Sequence, residues 1–596
     1  MNTIVDTPYT LDYGHHLIKL FGEMNRDQIN HIFQTTAIIH LDRAQYLFHQ
    51  GDEEKALYIV LSGRLRAIKS IDEQTHILGD ISAGEPVGEI ALFTNEVRSA
   101  SILALRNSVV LKMDEQDYHV LIQSFPKLST ALTKYVIDRL RLNATEKSKS
   151  SVPKNIVVIN LQPQNDIAPW ASNVLTQLKS MNKNIRLFRA LDQDENDPHT
   201  IFHTMESEDV LNLMLCDEIN MEWTKQCIIY SDLVVVISNF YAPHHLYPIE
   251  EELRIYHKSI LNKKIFLILL HPENAPRPIN TCKWFEHRSI QMHIHVRRNN
   301  QRDIRRCSRL IIHQGIGLVL GGGGSKGYAH VGAVLALQEA GVEIDCVGGT
   351  SAGALYSMLF TLTEFDIEHA LSICKKSVKY NVLAADYTIP FISLMKGKKM
   401  QHFLNELLGD LHLEDLWINT FMISTNYSDA SMKVHDRGLI RKSLAASFAI
   451  PGIFPPVIID GHYHVDGSVM DNLPISTMYT RPIGHVIAIS LTSQKTRRTH
   501  LQTLPSSAQL LWDKITGRKK YRLPSLAALM INSLTINSRQ KQEFTKSQAA
   551  LYVELDLKEF GFMDANKWKL LVDKGYRLTK NHLGELTHSA LFWKFA

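Results

Sequence analysis

The sequence predicts a multidomain chain: an N-terminal β-barrel of jelly-roll type, a middle α/β domain and a C-terminal α/β domain. Three observations carry this. The 596 residues exceed what one core holds. Short segments closed by glycines crowd together at 44–51, 56–63, 64–71 and 76–84, the spacing of a small barrel. From Asn155 onward, apolar strand-like runs alternate with helical ones. The domains read as 1–145, a linker at 146–153, 154–305 and 306–596.

Composition narrows the functional classes. Lys plus Arg number 65 against 61 Asp plus Glu, so charge does not point to a nucleic-acid polymer. The six cysteines are scattered without a C-x-x-C pair, which fits a reducing compartment and gives no metal pattern. The N-terminus lacks a basic segment followed by an apolar run, and no apolar run reaches the roughly 18 residues a spanning helix needs. The expected location is cytoplasmic, with any membrane contact peripheral.

A helical start, Asp12 to Gln34, precedes the barrel segments. The stretch PVGEIALFTNEVRSASILAL then has readable chemistry. A helix opening at Gly88-Glu89 presents backbone N–H groups to an anion. Glu89 accepts from sugar hydroxyls, Arg98 offers a fork to a phosphate, and Ser99 and the Ala100 N–H add donors. This stretch resembles the phosphate-binding cassette of the cyclic-nucleotide-binding domain family, on Gly88 to Leu92 and Arg98 to Ser101, with Gly51-Asp52, Leu57 to Val60 and Ser62-Gly63 matching its strand-turn pattern. The resemblance implies Glu89 on the ribose, Arg98 on the cyclic phosphate, and lid helices at 114–125 and 132–142. A barrel that keeps the fold and binds nothing is the alternative; Glu89 and Arg98 together favour a ligand. The absence of a threonine after Arg98 favours cAMP over cGMP.

Thr145 to Pro153 is polar and aperiodic, a linker. The middle domain carries neither G-x-x-x-x-G-K-[ST] nor G-x-G-x-x-G and reads as a scaffold. Asp232 is expected to cap a buried strand, with His271, His293 and His295 at loop edges.

The chemistry concentrates in IGLVLGGGGSKGYAHVGAVLALQEAGVEIDCVGGTSAG, from Ile316 to Gly353. A strand runs into Gly321 to Gly324, a helix follows to about Gly341, and a second strand leads to Gly349-Thr350-Ser351-Ala352-Gly353. That pentapeptide fits a nucleophile elbow. A right-handed strand–helix–strand unit sets both loops on one sheet edge, so the glycines should face Ser351. Gly322, Gly323 and Gly324, with Lys326 adding charge, are the oxyanion candidates; Gly349 and Gly353 shape the elbow. Gly322-x-Gly324-x-x-Gly327 with Asp345 also satisfies a dinucleotide fingerprint. An exposed serine one strand later argues against it.

A serine needs a base. Later stretches of note are Arg441 to Val457, a helix ending in a proline-rich turn, and His462 to Pro474, where Asp466-Gly467 holds a carboxylate at a turn. With these the chain resembles the patatin-like phospholipases, nearest to bacterial relatives of neuropathy target esterase. The marks are Gly322 to Gly327, Gly349 to Gly353, Ala446-Ser447, Pro451, Phe454-Pro455-Pro456, and Asp466-Gly467 with Asn472 and Pro474. The resemblance implies a Ser351–Asp466 dyad without histidine or catalytic cofactor, cleaving carboxylic esters of phospholipids or lysophospholipids through an acyl-serine. Lys326 stands where arginine is common, and Ser468 where Gly or Ala is usual. His330, His435, His462 and His464 are the candidates if a triad operates instead. A vestigial lipid- or nucleotide-responsive binding protein and a transacylase are the alternatives to hydrolysis. Lys396 to Lys399, and Arg518 to Arg522 with Trp512, are basic clusters suited to anionic lipid.

Overall fold

A computed structural model of the protein describes residues 8–124 apart from 72–73, 90 and 92–95; 152–189 apart from 163 and 182–183; 210–257; 263–380; 386–491; 503–516; and 535–586, with isolated positions between. Two compact units emerge, one of Met1–Ala275, Lys283–His313 and Thr480–Pro482, the other of Pro276–Cys282, Gln314–Tyr479 and Ile483–Ala596.

In the first unit, two four-stranded antiparallel sheets make the barrel. One has the order Ala37–Leu41, Ser108–Asp114, Ala56–Ser62, Pro86–Val87; the other Tyr46–Phe48, Ser101–Ala104, Arg64–Ile71, Gln74–Ser82. Ala56–Ser62 is buried along its whole length, because side-chain alternation serves two cores. Leu57, Ile59 and Leu61 pack with Tyr13, Leu17 and Ile32 of the N-terminal helices. Ala56, Tyr58 and Val60 fill the space between the sheets with Phe48, Leu65 and Val110. The helical start is two helices, Pro8–Phe21 and Arg26–Thr35, rather than one. Gly22 at φ +89° ends the first, and the Asn25–Gln28 capping box opens the second. The first lid helix is Glu115–Ser124. Its expected successor and the linker lie almost entirely outside the described residues.

The middle sheet has six parallel strands in the order Ile185–Arg189, Leu211–Cys216, Asn155–Asn160, Leu233–Asn239, Lys264–His271, Met292–Arg297. Asn155–Asn160 is buried throughout, as strands covered on both faces must be. The helix Gln301–Ile311 belongs with this sheet: Asp303 pairs with Arg297 at 2.7 Å, and Arg306 donates to His295 O. The histidines are not at loop edges. His271 ends one strand and His293 and His295 lie within the next, all buried, with His271 Nε2 and His295 Nδ1 2.9 Å apart. Strand alternation turns His293 and His295 to one face, and the apolar neighbours concealed this from periodicity alone.

The sheet of the second unit has the order Val457–Ile459, His462–Asp466, Asn419–Asn426, Cys346–Thr350, Gly315–Leu320, Ile483–Ser490, Leu551–Glu554, with Ser431–His435 paired to Asn419–Asn426. The five strands from Asn419–Asn426 to Leu551–Glu554 are parallel, and the other three join through antiparallel pairings. Gly315–Leu320 and Cys346–Thr350 are neighbours, with Leu320 opposite Gly349, as the strand–helix–strand reading requires. The connecting helix Ala329–Glu339 lies against the C-terminal helix Trp568–Leu586 with the backbones nearly touching. A Cβ on Gly332 would stand 1.8 Å from Val572 O, and one on Gly575 2.0 Å from Ala329 O. The long helix Trp568–Leu586 follows the strand Leu551–Glu554.

Candidate active site and nucleotide pocket

Ser351 occupies the sharp turn between Cys346–Thr350 and the helix Ala352–Leu362, at φ +55° and ψ −122°. A non-glycine residue there is strained, and the neighbouring glycines make the turn feasible. A Cβ on Gly353 would meet Leu320 O at 1.9 Å, and one on Gly349 would meet Gly353 C at 2.5 Å. The Ser351 N–H donates to Ser447 Oγ at 2.9 Å, so the helix Ile440–Ser447 braces the elbow. Thr350 Oγ1 donates to Asp471 O at 2.8 Å and ties the same turn to the Asp466 loop.

Asp466 ends the strand His462–Asp466 and is 1 % exposed. Its N–H donates to Ala449 O at 2.9 Å, and its Oδ1 accepts the Ser468 N–H at 2.8 Å. Burial raises its pKa to about 6, against a downward pull from the Ser351 hydroxyl and from Ser468. Its Oδ2 has no partner of hydrogen-bonding geometry. Gly467 gives the loop its close approach: a Cβ there would lie 2.3 Å from Ile423 O and 2.8 Å from Thr350 Cγ2.

The glycine loop lies beside this pair. A Cβ on Gly322 would reach 3.0 Å from Ser351 Cβ and 2.6 Å from Asn472 Oδ1. The Gly322 N–H is engaged with Asn472 O at 3.4 Å, while those of Gly323 and Gly324 have no acceptor among the described residues. Gly324, at φ +60°, backs onto Phe562. Ser325 donates its N–H to Phe562 O at 2.9 Å and its hydroxyl to Gly561 O at 3.1 Å. Lys326 is half-buried and does not line the cleft, whereas Gly324 and Ser325 do.

The four histidines fall elsewhere. His330 Nε2 donates to Gly321 O at 2.9 Å from beneath the loop, and burial takes its pKa down to about 4. His435 and His464 both bond Ser424 Oγ, at 2.7 and 2.9 Å. Burial lowers both their pKa values, His435 to about 4. His462 is exposed. Asp345 closes the dinucleotide alternative. It is buried at the start of its strand, where its carboxylate accepts the Ile316 N–H at 2.8 Å, at the sheet end remote from the glycine loop.

A cleft opens from Ser351, lined chiefly by apolar groups including Leu355, Phe403, Ile450, Phe454 and Phe562, with Lys396 among its few polar members. That apolar character suits a hydrocarbon chain.

In the barrel, Gly88, Glu89 and Arg98 come together. Gly88 at φ +87° lets Arg98 lie against it; a Cβ would stand 2.5 Å from Arg98 Nη1. The guanidinium donates to Gly88 O at 3.0 Å and to Ala56 O at 2.9 Å, and stacks 4.1 Å from the Phe48 ring centroid. Its Nε is buried without a partner, and burial lowers its pKa. Glu89 and Ala100 are buried, and Ser99 is exposed.

Asp232 does more than cap a strand. It accepts the Lys154 and Asn155 N–H groups at 2.7 and 3.0 Å and pairs with Arg64 at 2.8 Å and Arg106 at 2.9 Å, both from the barrel. Burial would raise its pKa, but these cations and N–H groups hold it far below the usual carboxylate range.

By class, the chain is similar in order to three families: residues 38–125 match the cyclic nucleotide-binding domain, 192–315 the Neuropathy Target Esterase family P-loop like domain, and 318–479 the patatin-like phospholipases. Among individual proteins, neuropathy target esterase sws of Drosophila melanogaster is 25% identical over 94% of this chain and 43% of its own length. The Drosophila persimilis protein of that name is 28% identical over 73% of this chain and 34% of its own. Lysophospholipase NTE1 of Candida albicans is 24% identical over 90% of this chain and 46% of its own. The chain thus spans less than half the length of these relatives. No helix among the described residues is long and apolar enough to cross a membrane.

Proposed function

We propose that the protein is a serine hydrolase cleaving carboxylic esters of phospholipids or lysophospholipids, with Ser351 as nucleophile and Asp466 as general base. The observation that carries this is a strained, buried Ser351 beside a buried Asp466 with its pKa raised to about 6, opening on an apolar cleft. The names of the relatives, phospholipase and lysophospholipase among them, agree. Near neutral pH the carboxyl is mostly ionised yet close enough to the working pH to take and return a proton. Ser351 Oγ attacks the acyl carbon as its proton passes to Asp466. The N–H groups of Gly323 and Gly324 meet the developing oxyanion. Collapse breaks the acyl–oxygen bond, and the leaving alcohol takes the proton from Asp466. Water, deprotonated by Asp466, attacks the acyl-serine; the acyl–Oγ bond breaks, Asp466 returns the proton to Ser351 Oγ, and the fatty acid leaves. No step calls on a metal or cofactor.

The barrel is read as a cyclic-nucleotide site, cAMP favoured over cGMP, with Glu89 on the ribose and Arg98 on the phosphate. Arg98 would exchange its carbonyl partners for the phosphate. The Arg64–Asp232–Arg106 cluster then gives a route from barrel to middle domain. Binding shifts activity only if the active and inactive states differ in affinity for the nucleotide.

The test is hydrolysis of a lipid panel by the parent and Ser351→Ala, with and without each nucleotide, alongside fluorophosphonate labelling. Activity and labelling that survive Ser351→Ala refute the nucleophile. Unchanged rates at saturating cAMP and cGMP refute the regulation.

A further inference from the structure

A short hairpin, residues 386–396, stands beside the mouth of the cleft. Its base is pinned. Tyr387 and Met395 pair antiparallel, Thr388 N–H donates to Leu394 O at 3.1 Å, and Lys396 N–H to Asp386 O at 2.9 Å. Leu394 and Met395 donate to Gly452 and Ile453 carbonyls, each at 2.9 Å. Met395 is buried with Ile450, Phe454 and Phe562, all three in the cleft wall.

The tip is the reverse. Tyr387, Ile389, Phe391 and Ile392 are 69, 72, 89 and 70 % exposed. Single exposed apolar side chains are ordinary, but a contiguous group on one pinned hairpin marks an interaction surface. The apolar surface continues round the mouth: exposed Ile458 follows the cleft residue Val457, and Met563, itself in the cleft wall, is exposed too. Charge is arranged to match. Lys398 and Lys399 are exposed at the first turn of the helix Lys398–Leu408, and Lys396 lines the cleft. The positive end of the helix adds to these three cations. Among the described residues of the hairpin and of that first helical turn, the one carboxylate, Asp386, accepts the Gly397 and Lys398 N–H groups at 3.2 and 2.7 Å.

We infer that the 387–394 hairpin is a membrane-insertion element. Its apolar tip enters the acyl region of a lipid surface, with Lys396, Lys398 and Lys399 at the level of the phosphates. The cleft mouth is thereby held against the bilayer, and a lipid passes to Ser351 without crossing water. This rests on the reading of Ser351 as the nucleophile of a lipid esterase. Apolar tip and adjoining cations together fit a lipid surface. They fit a second copy of the chain less well, because a symmetric contact through the tip would bring like charges together.

The experiment separates binding from chemistry. Full-length Ser351→Ala protein is sedimented with vesicles of phosphatidylcholine, alone or with phosphatidylglycerol, with and without Phe391→Glu and Ile392→Glu together. The otherwise unaltered chain, with and without the same pair, is assayed on a short water-soluble ester and on lysophospholipid carried in vesicles. The pair should lower vesicle partitioning and vesicle-substrate hydrolysis at least tenfold. The soluble ester should be turned over within twofold of the parent, Phe391→Trp should keep full partitioning, and phosphatidylglycerol should strengthen it. Unchanged partitioning overturns the proposal. So does an equal loss on the soluble ester, which would make the hairpin part of the cleft. A fall in solution molar mass with unchanged partitioning also overturns it, assigning the tip to self-association. If the parent cleaves neither ester, the catalytic reading fails, and partitioning alone still decides the hairpin.

Discussion

Asp466→Asn should inactivate the protein and stabilise it. The native state holds the Asp466 proton more tightly than the unfolded chain, with a pKa of about 6 against an ordinary 3.8. A group raised in this way contributes its stability below the unfolded value and loses it as pH rises through the folded one. The gap of about two units, at about 1.4 kcal/mol each, makes the ionised carboxylate cost about 3 kcal/mol above pH 7. Asparagine removes that cost. Its Oδ1 still accepts the Ser468 N–H, and its amide nitrogen takes the place of an Oδ2 that has no partner. The variant should melt higher than the parent at pH 8, by about 2–4 °C per kcal/mol, and the difference should shrink toward zero at pH 4. Hydrolysis of a soluble ester should fall by about 10²–10⁴-fold, the usual worth of a general base. Parent kcat/KM should itself rise with pH through about 6. Thermal unfolding from pH 4 to 8 and steady-state kinetics on the same samples check both halves. A variant less stable than the parent at pH 8, or one that loses less than tenfold in rate, refutes the assignment.

Ser447→Ala removes the acceptor of the Ser351 N–H; we expect kcat to drop about tenfold with KM nearly unchanged, and stability to fall by about 1 kcal/mol, read by kinetics and denaturant titration. Gly332→Ala drives a methyl into Val572 O and should cost about 3 kcal/mol or more, seen as a lower melting temperature, with Ala333→Gly, one residue along, as the milder control. Asp232→Ala leaves Arg64 and Arg106 buried without their shared carboxylate. It should cost about 3–5 kcal/mol and abolish any cyclic-nucleotide effect on hydrolysis, while the basal rate on a soluble ester persists. In the parent, the depressed Asp232 pKa means that this stability is present above the ordinary carboxylate value and is lost only in strong acid, which an acid titration of unfolding checks.

The strand, glycine loop, helix, strand and elbow from Ile316 to Gly353 were legible because every signal is local: glycines where the backbone closes up, apolar residues at the spacing of each element. Asp466 was different. The Asp466-Gly467 turn marks a fixed carboxylate, but nothing in His462 to Pro474 says that it comes to Ser351, and only family resemblance paired the two. Ser447 appeared among the family's marks without a role, because its hydrogen bond spans 96 residues of chain. The arginine partners of Asp232 are more than a hundred residues away, and a strand cap was all its neighbourhood suggested. The hairpin tip was missed for another reason. The sequence marks the adjoining lysines by charge, whereas Ile389, Phe391 and Ile392 show no pattern that sets them apart. Only the fold shows which of these apolar side chains are left outside.

The bracing of the glycine loop by Gly561 and Phe562 bears on timing. Ser351 and Asp466 leave the ribosome well before the segment that supports Gly324 and Ser325. A growing chain therefore holds Ser351 and Asp466 before its glycine loop is supported, and the helix Trp568–Leu586 must still dock on Ala329–Glu339 through Gly332 and Gly575. On the reading proposed above, ester hydrolysis starts only when the helix Trp568–Leu586 is in place, so the supports of the site are completed in the order of the chain.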